Sequence, residues 1–96
     1  MALETKPFDV ADVLTNETRI IAYLEEAFES GDAAFIASAI GDVARARNIS
    51  AMAKDTGLTR ETLYRAFSAD GNPTLATLLP VMKALGFQLG IKPVEV

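Results

Sequence analysis

The 96-residue chain contains no cysteine and no histidine, and each absence removes a chemistry. Without cysteine there is no disulfide and no thiolate metal site. Without histidine, the side chain that most often titrates or ligates near neutral pH is missing as well. Ser-His-Asp, Cys-His and zinc chemistries are therefore excluded. No apolar run approaches the roughly 20 residues that cross a bilayer. The opening MALETKPF lacks the basic-then-apolar order of a secretory leader, so a cytoplasmic location is expected.

Half of the residues are hydrophobic and 23% are charged, which suits one soluble domain with a single core. The net charge of -4 is unevenly spread: residues 1–44 hold nine acids and two bases, 45–70 five bases and three acids, and 71–96 two bases and one acid. A mildly basic middle behind an acidic front allows two binding faces of opposite sign. The same segregation also fits a merely solvated surface.

Helical start and stop signals recur along the chain. Asp9 is placed to cap a short helix ending near Leu14, with Asp12 in its first turn and Phe8 and Val13 as a hydrophobic staple. Thr15, Asn16 and Glu17 open a second, in which Ile20, Tyr23, Leu24, Ala27 and Phe28 share one face. Ser30-Gly31-Asp32 ends it, and Asp32 caps a third helix carrying Phe35, Ile36, Ala39, Ile40, Val43 and Ala44. Arg45 and Arg47 fall in the last turn of that helix, where cations complement the dipole; Gly41 costs it about 1 kcal/mol relative to alanine. Ser50 is expected to open a fourth helix, with Met52 and Ala53 inward and Gly57 as its stop. Thr59 caps a fifth, with Leu63, Ala66 and Phe67 on its buried face. Thr74 caps the last, whose stripe is Leu75, Leu78, Leu79, Met82 and Leu85. Pro80 predicts a bend or a late start there. Beyond Gly86, the alternation of Phe87, Leu89 and Ile91 with Gln88, Gly90 and Lys92 predicts a half-buried strand over 87–94. Its partner would be Ala2 to Lys6, a second copy or another protein.

The stretch Ser50 to Phe67 carries the chemistry. A small residue at a helix crossing (Ala53), a glycine turn (Gly57), a plug (Leu58) and anchors (Leu63, Ala66) compose a helix-turn-helix at 50–67, whose second helix is free to enter a DNA major groove. Its outward residues are Thr59, Arg60, Glu61, Thr62, Tyr64 and Arg65. Arginines suit guanine O6 and N7, threonine a thymine methyl and glutamate the cytosine amino group. Ser50, Lys54, Arg45 and Arg47 suit phosphates. The competing reading is a packed helical corner with a solvated outer face.

This stretch, followed by DGNPT and Leu75 to Gly86, resembles the Xre/Cro-type helix-turn-helix. More narrowly, FDVADVL, IIAYLEEAFESGD, DVARARN, TGLTRETLYRAFS and GNPTLATLL together resemble the probable addiction-module antidote family, related to the HigA group of antitoxins, over about residues 8–91. The resemblance implies an all-α, five-to-six-helix, lambda-repressor-like domain forming a homodimer. It also implies a small basic toxin of the RelE/ParE-like class encoded beside it, and repression of the shared operator DNA. The expected layout is a single domain over 1–96, with acidic helices at 9–31, a repressor-like core at 32–86 and a C-terminal strand. A basic toxin fits an acidic face of Asp12, Glu17, Glu25, Glu26 and Glu29. The alternatives are a stand-alone Xre/Cro-type regulator and an interaction module without DNA binding. No cofactor, metal or membrane partner is expected, and paired acids such as Asp9 and Asp12 read as helix caps rather than as an enzyme's acid and base.

Overall fold

A computed structural model describes residues 16–95, and the helix expected at Asp9, with Asp12, lies outside them. The described residues form five helices: α1 (Glu17–Ser30), α2 (Ala33–Arg47), α3 (Ile49–Thr56), α4 (Arg60–Ala66) and α5 (Leu75–Ala84).

Each helix begins where a short polar side chain can satisfy free backbone amides. The Asn16 carboxamide accepts from Thr18 N and Arg19 N, and Asp32 accepts from Ala34 N and Phe35 N. Thr59 and Thr74 accept from the amides of Thr62 and Thr77. Asn48, rather than Ser50, opens α3: its side chain accepts from Ser50 N and Ala51 N while its own N–H donates to Ala44 O at the end of α2. One residue thus closes one helix and opens the next, at a φ of 147°. Gly31 and Gly57 stop α1 and α3 in the left-handed conformation, with φ of 68° and 76°.

Helix α2 is the centre of the fold. It packs against α1, α3 and α4, and α5 packs on α3. Its Ala37, Ala39, Ile40, Gly41, Val43 and Ala44 are all buried, more than one stripe's worth, as a helix covered on several sides requires. Ile20, Leu24 and Ala27 of α1, Met52, Leu63, Phe67, and Val81, Met82 and Leu85 of α5 complete the core. Two of the expected stripe residues on α5 face outward: Leu75 is 68% and Leu79 49% exposed. Val81, one position before Met82, takes the inward place. Pro80 does not delay the helix, which starts at its Thr74 cap; the carbonyl that Pro80 leaves unbonded is that of Ala76, an exposed residue that water can serve.

The C-terminal strand expected over 87–94 is absent: Phe87 to Glu95 have no regular secondary structure, and no strand lies among the described residues to pair with them. The cause is the end of α5. Gly86, at φ 91°, donates to Lys83 O, and Phe87 N donates to Met82 O at 2.9 Å. This is a Schellman closure, which sets the residue after the glycine against the helix it has just left. Phe87 and Leu89 pack on the core while Ile91 is fully exposed, so the alternation marks one-sided burial along a helix surface.

Gly41 shows why a helix-breaking residue sits mid-helix. A Cβ there would lie 2.0 Å from Phe67 O, so only glycine lets the end of α4 seat on α2. In an open helix, glycine to alanine would stabilise by about 1 kcal/mol. Here overpacking reverses the sign, and Gly41→Ala is expected to destabilise by about 2 kcal/mol or more. Urea denaturation measures this, and a variant as stable as the parent would contradict the packing described.

Candidate nucleic-acid interface

The candidate site is built on α3, the turn Gly57-Leu58-Thr59 and α4. Thr56 Oγ1 donates to Met52 O at 2.7 Å and accepts from Leu58 N at 3.2 Å, so the turn is held from within. Half-buried Leu58 then lies beneath the turn, and buried Leu63 and Phe67 hold α4 to the core. With its inner face fixed this way, α4 presents Arg60, Glu61, Tyr64 and Arg65 to solvent; all four are exposed and line one shallow depression.

The expected site residues fall into three groups. Arg60, Ser50, Lys54, Glu61, Tyr64 and Arg65 are exposed around α3 and α4. Arg60 Nη1 reaches Ser50 Oγ at 3.5 Å, which brings the start of α4 beside the start of α3. Arg65 and Glu61 pair at 3.5 Å with both side chains largely in water, an ion pair that costs little to open. Thr59 and Thr62 are occupied locally: Thr59 Oγ1 accepts from Thr62 N at 3.0 Å and donates to Thr62 Oγ1 at 2.9 Å.

The two arginines at the end of α2 have structural partners. Arg47 Nη2 donates to Leu85 O at 3.4 Å, tying α2 to the C-terminal end of α5. Arg45 forms an ion pair with Asp42, whose other carboxylate oxygen accepts from Tyr23 Oη at 2.7 Å. Tyr23 also meets Phe35 edge-on, with ring centroids 6.2 Å apart. Sequence reasoning misses the Tyr23–Asp42 bond and, separately, the Asn48 cap. Asn48 could have been found, because asparagine is among the best N-caps; the Tyr23–Asp42 bond joins positions too far apart for any local pattern to show.

The acids expected on the other face are also placed. Glu17, Glu25, Glu26 and Glu29 are exposed along α1, which among the described helices packs chiefly on α2. No described helix is long and apolar enough to cross a membrane.

Described residues whose regular structure is all helical, with an arginine-bearing helix turned outward at α4 and an acidic helix at α1, are the class that fold and site define. Residues 4–93 match the family described as probable addiction module antidote protein, and the chain belongs to that family. It is 49% identical over 92 residues to an uncharacterized protein of Haemophilus influenzae, a match that covers 96% of this chain and 95% of that one. No solved structure matches it. An antidote implies a toxin for it to counter, so a toxin partner comes with the family.

The Tyr23 hydroxyl is held neutral well above its ordinary range, first by burial, then by its bond to Asp42 and by the charges of Asp42 and Glu26, with Arg45 opposing. A raised pKa in the folded state gives stability that is complete below the unfolded tyrosine's value of about 10 and is lost as pH climbs toward the folded value. Urea midpoints should therefore fall above pH ~10, and Tyr23→Phe should lose less than the parent over that interval. Equal losses in the two proteins would show that this hydroxyl is not the group responsible.

Proposed function

We propose that the chain is an antitoxin of a type II toxin-antitoxin module that acts entirely by binding. It neutralises a small basic toxin of the RelE/ParE-like class, and as a homodimer it occupies the operator DNA of its own promoter. The observation that carries the DNA half is α4: a helix anchored by Leu63 and Phe67 whose outer face is Arg60, Glu61, Tyr64 and Arg65, beside Ser50 and Lys54. Membership of the antidote family carries the toxin half.

The chemistry of that face fits a duplex. Arg60 and Arg65 offer planar forks for guanine edges, and Glu61, once released from Arg65, accepts from a cytosine amino group. Lys54 and the Ser50 hydroxyl suit phosphates. Net acidity does not oppose this, because screening limits repulsion from distant acids to about 8 Å at physiological salt, and the acids of α1 belong to another element. Operators are commonly palindromic, and the exposed Leu75 and Leu79 on α5 give a second copy an apolar strip to cover.

On this reading, Arg60→Ala and Arg65→Ala each weaken binding to the chain's own upstream region by about 1–3 kcal/mol while leaving the melting temperature unchanged. Gel shifts across a salt series measure this. DNA affinity and salt slope unchanged in both variants would remove α4 as the reading helix. Co-expression with the adjacent reading frame tests the other half: an antitoxin purifies with that basic product, and a lone regulator purifies without it.

A further inference from the structure

One apolar surface is left open by the described helices. Between α1 and the segment Phe87–Lys92 runs an open groove of about 440 Å³ whose floor is Leu24 and Met82 and whose walls are Ile21, Phe28, Phe87 and Leu89. Leu24 and Met82 belong to the core, whereas Ile21 is 39% exposed, so the groove is a continuation of the core that opens to water. Among the described helices α1 packs closely on α2, and on this side it is met by Met82 of α5 and the segment after Gly86.

The charges at its edge say what fits. Glu25 and Glu29 line the groove along α1, with Glu26 exposed beside Glu25, while the opposite lip carries Lys92. A second copy docking here by its own α1 would bring two sets of these glutamates together, and like charges so juxtaposed disfavour the pair. The complementary occupant is an amphipathic helix with apolar anchors at i, i+3 or i+4 and i+7 for the groove, flanked by lysine or arginine for the glutamates.

We propose that this groove is where the toxin docks, through a basic amphipathic helix whose apolar side lies over Ile21, Phe28 and Leu89. The proposal rests on the antitoxin reading and deepens it, placing the binding energy in an apolar cleft and leaving the acids of α1 to steer and orient. It also separates the two ligands by element, with toxin on α1 and the C-terminal segment and DNA on α3 and α4.

The test uses the full chain and the product of the adjacent reading frame as probe. Ile21→Asp puts a charge into the groove wall at an already accessible position, and the Glu25→Lys, Glu29→Lys double variant reverses the rim at exposed sites that the fold does not use. Each is expected to weaken capture of the probe by more than about tenfold, with thermal melting and the gel shift on upstream DNA unchanged. The double variant keeps the proposal open to refutation if Ile21→Asp unfolds. Capture at parental strength by the double variant, or by a folded Ile21→Asp, overturns the groove while the antitoxin reading stands. Failure of the parent chain to capture the probe overturns both. A change of oligomeric state in Ile21→Asp assigns the face to a second copy and likewise overturns the proposal.

Discussion

The fold depends on how closely the end of α4 approaches the middle of α2. Phe67 O sits where a Cβ on Gly41 would be, and no other residue at that position leaves room for it. That approach sets the depth at which Leu63 and Phe67 enter the core, and so how far the opposite face of α4 stands out. The helix that α4 rests on is itself buried on several sides, which makes it a rigid platform rather than a surface element. The side chains of Arg60 and Arg65 therefore project from a short helix of seven residues whose inner face cannot shift without opening the core.

Much of this was legible in the sequence because it is local. Asn16, Asp32, Thr59 and Thr74 cap helices by bonds that reach two or three residues, and Gly31 and Gly57 supply conformations few other residues adopt. The face that buries Ile20, Leu24 and Ala27 follows from helical spacing alone. What was not legible depends on contacts between distant positions. Gly41 looked like a helix-propensity cost until Phe67 was beside it. Arg47 is expected from its sequence position only as a cation at a helix end or a phosphate contact, and its bond to Leu85 O, 38 positions along the chain, has no local signal.

The remaining departures have the same origin. Period-two burial at Phe87 and Leu89 is real, but a strand needs a neighbouring strand, and the Schellman closure of α5 lays the segment against helices instead. Leu75 and Leu79 lie on the apolar stripe of α5, yet the helix is rotated so that Val81, Met82 and Leu85 are buried and those two leucines stay exposed. Within the candidate site, the outward residues of α4 could be read from the placement of Leu63 and Phe67. The partners of Arg45 and Arg60, Asp42 and Ser50, could not.

On the account given, one small domain keeps an acidic, partly apolar surface on α1 and an arginine-bearing surface on α4, joined through a central helix that neither ligand has to move. Amide hydrogen exchange on the full chain, with upstream duplex and with the adjacent-frame product added separately, tests that arrangement most directly. The account predicts slowed exchange at α3 and α4 with the duplex, and at α1 and the segment after Gly86 with the protein. Protection of one common surface by both, or of α1 by the duplex, would contradict it.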